Sequence, residues 1–248
     1  MATIHEARGF HFTPPPEMAW ARRVLLKPYA STGHPYPVST SRELLEAVIS
    51  GIRRVTDAEI LIADGSPAGE PIYPAYQALH YNFNRVLLLD VKDSIFLEME
   101  NPLQEFYASP TFWVPNLVLR SDFLVSIAPF HVANGAGRFT IANLLGLMPL
   151  AQTKPGEDVY YQGLKNLEVE KVLADLYFTL PFDMGIVEGR TRFDYPVDDP
   201  LSGKATDLGK IIVGKPLEVD RLAARLAGAS AEHLTLIERG QKVLEQDH

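Results

Sequence analysis

The 248-residue sequence contains no cysteine. Disulfides, thiolate nucleophiles, Cys-containing zinc sites and Cys-ligated iron–sulfur clusters are therefore excluded within this chain. Long hydrophobic runs are also missing. The richest stretch, residues 123–150, is interrupted by polar side chains, and no segment has the roughly 20 apolar residues that span a bilayer. We therefore expect no membrane association.

Positive charge is scarce as well. The 23 Lys and Arg residues are outnumbered by 31 Asp and Glu residues, which gives a formal net charge of −8. This balance disfavours a large binding surface for nucleic acid or anionic lipid, so neither is an expected partner. His5, Glu6 and Arg8 lie where a signal peptide would need its apolar segment, which predicts cytoplasmic residence.

Apolar runs alternate with amphipathic segments along the chain. Residues 23–27 and 59–63 are typical of buried strands, and a helix with a candidate capping box, Thr40-x-x-Glu43, separates them. Strand, helix, strand is the pattern of a right-handed crossover in a parallel sheet. Further strands are predicted at 86–89, 123–127, 184–187 and 210–213, and helices at 168–180 and 216–228. The sequence predicts an α/β fold with a mixed, mostly parallel sheet and helices on both faces.

We expect one domain with a short extension. Residues 1–20 contain Pro14-Pro15-Pro16, which predicts an extended N-terminal arm. Residues 21–248 are predicted to form a single α/β domain. Within it, residues 94–120 carry three prolines and alternate weakly, which predicts a short hairpin or excursion and a candidate small subdomain.

Polar or charged side chains follow most of the predicted strands. In open α/β sheets ligands lie outside the carboxyl ends of the strands, so these side chains are expected to meet at one cleft. The alternative is that each of them simply meets solvent where its strand ends. The residues concerned are Lys27, Asp64, Asp90, His131, Glu188 and Lys215.

His131 is the strongest single candidate. An imidazole can move protons near neutral pH or bind a metal. Gly135 and Gly137 then allow close approach of the backbone to a ligand, and Arg138, near the predicted start of the next helix, can hold a carboxylate or phosphate. The alternative is that His131 only hydrogen-bonds its own loop.

Three further residues are candidates for ligand binding. His34 follows the first strand, and together with His131 and a carboxylate it suits a metal, although no spacing demands one. Glu188 and Arg190 leave a later strand together and can orient an acidic substrate or take part in surface ion pairs. No G-x-S-x-G, Walker loop or complete G-x-G-x-x-G is present, which disfavours common serine hydrolases and standard nucleotide binding.

The order of these motifs resembles the family called domain of unknown function 362, over about residues 20–240. The resemblance implies that Lys27, Asp64, His131 and Asn143 are the residues to carry over as site residues. The matching segments are Val24-Leu25-Leu26-Lys27-Pro28, Asp64-Gly65-Ser66-Pro67, Pro129-Phe130-His131, Ala142-Asn143-Leu144-Leu145-Gly146, Val187-Glu188-Gly189 and residues 213–226.

The chain departs from the family pattern at three of these motifs. Pro129 and Ala142 replace two family lysines, and Glu188 replaces an aspartate. Many members of the family are associated with iron–sulfur clusters, which this chain cannot bind through cysteine. The first strand, the following loop and the second strand are also similar to the nickel-pincer lactate racemases, but this similarity assigns no cofactor.

Two functions remain open. The first is an isomerase- or lyase-like enzyme acting on a small acidic metabolite, with His131 as acid or base, Asp64 as an orienting carboxylate, and Lys27 or Arg138 as the anion holder. Ligand-binding residues in this hypothesis are His34, Arg138, Asn143, Glu188 and Arg190.

The second is a non-catalytic binding or assembly protein. Its partner surface would comprise apolar residues between Phe106 and Leu119, including Trp113. Cofactor, metal and formation of a homo-oligomer are left open by the sequence.

Overall fold

The computed structural model describes residues 1–66, 69–148, 168–180 and 182–246. Within these residues eight strands form one sheet, and two more form a separate antiparallel hairpin. The sheet contains β1 (Thr3–Glu6), β2 (Arg23–Pro28), β3 (Glu59–Asp64), β4 (Val86–Asp90), β7 (Phe123–Ala133), β8 (Ala136–Arg138), β9 (Met184–Tyr195) and β10 (Lys204–Gly214). The hairpin contains β5 (Phe96–Glu100) and β6 (Thr111–Pro115).

Helices connect and cover these strands. The described α-helices are α1 (Arg42–Arg53), α2 (Tyr73–Ala78), α3 (Asn116–Leu119), α4 (Thr140–Asn143), α5 (Val169–Thr179), α6 (Pro216–Ala227) and α7 (Glu232–Gln246). Short 3-10 turns lie at Pro16–Trp20, Val91–Asp93 and Leu144–Leu147. Across the described ranges, every helix is too short or too polar to cross a membrane.

The start of α1 differs in detail from the predicted capping box. Ser41 is the N-cap, because its hydroxyl accepts from the backbone N–H of Leu44 at 3.0 Å. The hydroxyl of Thr40 is engaged elsewhere, since it donates to the carbonyl of Ile127 and accepts from the N–H of Tyr29. The helix is thus capped one residue later than the sequence pattern predicts.

The strand order is β1-β10-β9-β7-β2-β3-β4, with β8 paired to β7. The five neighbouring strands from β9 to β4 are mutually parallel, whereas β1, β10 and β8 pair antiparallel. β2 and β3 are buried on both faces, as their continuous apolar sequences require in a parallel sheet. The predicted mixed, mostly parallel sheet is confirmed.

Helices pack on both faces of this sheet, as predicted. On one face, Leu45 and Val48 of α1 join a cluster with Val24 of β2 and Ile60 of β3. On the other face, α5 packs beneath Leu25 and Leu61, which alternate with the first set along the strands. Helices α6 and α7 cover the same layer next to β9 and β10.

The N-terminal segment, which we expected to be an extended arm, lies against the domain. β1 pairs antiparallel with β10, and Phe12 and Met18 are buried in the same cluster as α1. Residues 94–120 contain the hairpin predicted there. Its Phe112 is buried under the sheet, whereas Trp113 is 40% exposed.

Candidate functional site

A cleft of about 410 Å³ lies at the carboxyl ends of β2, β3 and β7. Parallel strands end at the same edge of the sheet, so residues far apart in sequence meet here. Five of the candidate site residues predicted from the sequence line the cleft: Lys27, Asp64, His131, Arg138 and Asn143.

Lys27 and Asp64 form a fully buried ion pair in this cleft. The ammonium Nζ lies 2.7 Å from Asp64 Oδ1, 2.8 Å from the carbonyl of Pro28 and 2.9 Å from Asn143 Oδ1. All three partners are acceptors, so the three Nζ protons are all used and Lys27 has none left for a bound anion. Burial lowers the pKa of Lys27 and raises the pKa of Asp64, but this hydrogen bonding requires the ionised pair.

Asp64 links the ends of two strands. Its Oδ2 accepts from the backbone N–H of Ala30 at 2.7 Å, and Oδ1 accepts from the N–H of Gly65 at 2.9 Å. A carboxylate that accepts from an ammonium and two amides is fixed in orientation. Asp64 therefore sets the path of the chain where it leaves both β2 and β3.

Asn143 and Gly146 form an Asn-x-x-Gly motif that packs against the Lys27–Asp64 ion pair. The Asn143 amide donates to the carbonyl of Lys27 at 2.9 Å and to Ser126 Oγ at 3.1 Å. A Cβ at position 146 would lie 2.5 Å from Asp64 Oδ1, so only glycine lets this segment lie over the ion pair. Both residues thereby enclose Lys27 and Asp64.

The short helix α4, which carries Asn143, is held by Asp220 of α6. The Asp220 carboxyl accepts from the backbone N–H groups of Thr140 and Ile141, each at 2.9 Å. Burial raises the pKa of Asp220 to about 6. Asp220 therefore has a structural role, because it binds the start of α4 and not that of its own helix.

His131 is buried as a neutral imidazole. Its Nε2 lies 2.9 Å from the carbonyl of Pro37, which only accepts, so Nε2 carries the proton and Nδ1 is the acceptor. Burial lowers the pKa of His131 to about 4, whereas we expected titration near neutral pH. Tyr29 and Tyr195 contact the ring edge-on, each with its centroid 5.2 Å away.

His131 and Arg138 face each other across a tight β-hairpin. Asn134 and Gly135 form the two-residue turn that joins β7 and β8. Their φ values of 48° and 81° are both positive, as such hairpin turns require. His131 and Arg138 are direct cross-strand partners, so their side chains lie on the same face of this hairpin. This segment is a hairpin that leads into α4, so Arg138 lies near the start of a helix as expected, but in a strand.

Arg138 is ion-paired at the rim of the cleft. Its Nη1 lies 2.6 Å from Glu170 Oε1, and Glu170 Oε2 accepts from Nδ1 of His233 at 2.7 Å. Burial alone would raise the pKa of Glu170, but hydrogen bonds from His233 and the charge of Arg138 outweigh it and lower the pKa to about 2. Glu170 is therefore ionised at any physiological pH.

Glu188 and Arg190 lie together but do not line the cleft. Glu188 is buried beneath the start of α1, where it accepts from the backbone N–H and the hydroxyl of Ser41 at 2.8 and 2.5 Å. Arg190 Nε donates to Glu188 at 2.9 Å, and its guanidinium lies 4.9 Å from the ring centroid of Tyr36. These contacts join β9 to α1.

His34 is also apart from the cleft. Its side chain is exposed, and Nδ1 lies 3.0 Å from the carbonyl of Thr32 within the same loop. In the part of the chain that the structure describes, no three His, Asp or Glu side chains are grouped as metal ligands. His34, His131 and Asp64 therefore do not form the cluster considered for a metal.

Two tyrosines of the cleft were not predicted from the sequence. Tyr29 follows the Lys27-Pro28 motif directly, and Tyr195 ends β9, which extends well beyond the predicted strand at 184–187. Burial raises the pKa of both hydroxyls. The alternation of residues 191–195 was the available signal for Tyr195, since every second side chain of a strand points to the same face.

The chain is similar to a known protein family and, among solved structures, to a distant neighbour. The sequence model of the family described as Domain of unknown function (DUF362) matches residues 24–225. No curated protein matches the chain. Among solved structures, the lactate racemase apoprotein from Thermoanaerobacterium thermosaccharolyticum is similar, with 13% identity and a TM-score of 0.49 over 87% of this chain. The chain spans about half of that structure, 52% of its length.

Proposed function

The chain belongs to the DUF362 family, and we propose that it is an isomerase- or lyase-like enzyme acting on a small acidic metabolite in the cleft. One observation carries this proposal. His131, a neutral proton acceptor, and Arg138, a cation, are cross-strand partners on the wall of one cleft of about 410 Å³. Cavities of this size hold small molecules, and a base beside a cation suits proton removal from carbon next to a carboxylate.

His131 is the proposed proton acceptor, through Nδ1. The hydrogen bond to Pro37 fixes the tautomer, so the acceptor nitrogen is already defined before a ligand binds. The pKa of about 4 leaves the ring neutral but weakly basic. A bound carboxylate favours the imidazolium through its charge and raises the pKa, so the substrate itself increases the basicity of the ring.

Arg138 is the proposed anion holder, in preference to Lys27. All three Lys27 protons go to protein acceptors, whereas Nη1 is the only Arg138 nitrogen with a hydrogen-bond acceptor among the described residues. Lys27 and Asp64 instead form a rigid floor of the cleft. Their role is to fix Asn143 and the strand ends against which a ligand packs.

A melting-temperature screen tests this function. Small hydroxy and oxo carboxylic acids and, separately, divalent metal ions are added to the wild type, to Arg138→Gln and to a control, Arg225→Gln, which changes an exposed arginine outside the cleft. We expect one or more acids to raise the melting temperature of the wild type and the control but not of Arg138→Gln. Equal stabilisation of all three proteins would exclude Arg138 as the anion holder.

A further inference from the structure

The two carboxylate oxygens of Glu170 accept hydrogen bonds from different parts of the molecule, one from Arg138 in the cleft and the other from His233 of α7. Oε1 accepts from Arg138 Nη1 at 2.6 Å. Oε2 accepts from both the backbone N–H and Nδ1 of His233, at 3.0 and 2.7 Å. His233 is fully buried at the start of α7, and Glu170 lies in the first turn of α5. Arg138 is thus connected to two helices through one carboxylate.

Among the described residues, the hydrogen-bond acceptors of Arg138 leave one edge of its guanidinium open. Both of these hydrogen bonds are donated by Nη1, to Glu170 and to the carbonyl of Gly137 at 3.3 Å. Within the described ranges, no acceptor takes the protons of Nε and Nη2. These two nitrogens form the edge that binds a carboxylate through two parallel hydrogen bonds.

His233 also has a defined tautomer. Its Nδ1 faces a carboxylate, so Nδ1 carries the proton, and the buried Nε2 has no hydrogen-bond partner in the described part of the chain. His233 therefore donates to Glu170 through Nδ1.

We propose that Glu170 and His233 are positioning residues that hold Arg138 with its Nε and Nη2 edge directed at the cleft, as a two-point anchor for a substrate carboxylate. This inference rests on the proposed function. An arginine side chain is long and has many rotamers, so an anchor of this kind needs a fixed partner behind it. Glu170 is ion-paired on one oxygen and doubly hydrogen-bonded on the other, which makes it such a partner.

Nuclear magnetic resonance of the arginine side chains tests the proposal in the full chain, with malonate as the carboxylate probe. In the wild type we expect a resolved Arg138 Nε–H signal that shifts as malonate is added. In Glu170→Gln the amide NH2 must face either Arg138 or His233, both of which are donors, so one contact is lost. We expect averaged Arg138 signals and at least tenfold weaker malonate binding.

Glu168→Gln is the matched control, because Glu168 is 73% exposed and its ion pair is with Lys171. It should behave as the wild type. If Glu170→Gln does not fold, His233→Gln, which retains a donor for Oε2, should keep the Arg138 signal, whereas His233→Leu should lose it. Unchanged Arg138 signals and malonate affinity in Glu170→Gln would overturn the proposed positioning role. Absence of malonate binding to the wild type would instead count against the proposed function.

Discussion

Lys27 and Asp64 form a buried ion pair in which every proton of the ammonium has an acceptor. Removing one partner of a buried pair leaves an uncompensated charge, which costs about 3–5 kcal/mol. We therefore expect Lys27→Met and Asp64→Asn each to lower the free energy of unfolding by about that amount in urea titrations. The double variant should lose less than the sum of the two. Additive losses would show that the two charges do not interact.

The neutral state of His131 predicts how stability depends on pH. An ordinary histidine in the unfolded chain has a pKa near 6.5, against about 4 in the folded protein. The unfolded chain therefore binds more protons than the folded protein between these pH values. As a result, the free energy of unfolding falls by roughly 3 kcal/mol as the pH falls from 6.5 to 4. We expect this part of the acid destabilisation to disappear in His131→Gln. The free energy of unfolding of both proteins, measured across this pH range, tests this expectation.

The control for this measurement is His11→Gln, because His11 is exposed. Its acid destabilisation should match that of the wild type. An acid dependence in His131→Gln equal to that of the wild type would contradict a buried, neutral His131.

Sequence patterns could identify the residues at strand ends but not the direction of their side chains. Lys27, Asp64 and His131 follow the apolar segments of β2, β3 and β7, and the parallel pairing of these strands brings them together. Glu188 also lies in such a strand. However, the pairing of β9 with β7 shifts register between Glu188 and Arg192, and Glu188 packs under α1 instead. An irregularity of this kind depends on tertiary pairing and has no clear sequence signal.

At the level of elements, the junction of β9 and α1 combines a helix cap with a buried carboxylate. The hydroxyl of Ser41 accepts from the N–H of Leu44 and donates to Glu188. Ser41→Ala removes both hydrogen bonds, so we expect it to lower the free energy of unfolding by about 2 kcal/mol. Thermal or urea unfolding measures this loss.

Ser50→Ala is the control on the same helix, because Ser50 is exposed and alanine favours helix formation. Its stability should be unchanged or slightly higher. A Ser41→Ala protein as stable as Ser50→Ala would contradict the dual role of Ser41.

Element types were easier to predict than element ends. The amphipathic spacing in α1 and α6 marks their buried faces, and Gly228 with φ of 61° ends α6 as predicted. β9 and β10 run much further than their apolar cores, because their polar halves pair with each other and the polar half of β9 also pairs with the end of β7. The Asn134-Gly135 pair is a hairpin signal that our interpretation did not use.

At the scale of the whole molecule, the N-terminal segment is part of the core. Phe12 is 1% exposed within the cluster that also buries α1, whereas Trp20 is 87% exposed. We expect Phe12→Ala to cost about 3–5 kcal/mol in unfolding free energy and Trp20→Ala to cost very little. Equal effects of the two aromatic substitutions would mean that this segment does not pack as described.

Exchange of a carbon-bound proton in the cleft tests the proposed function of His131. Acids that raise the melting temperature are incubated with the protein in D2O, and deuterium next to the carboxylate is followed by nuclear magnetic resonance. We expect deuterium incorporation with the wild type and with His11→Gln, and none above background with His131→Gln. Binding of these acids without exchange by the wild type would contradict the proposed enzyme and favour a binding protein.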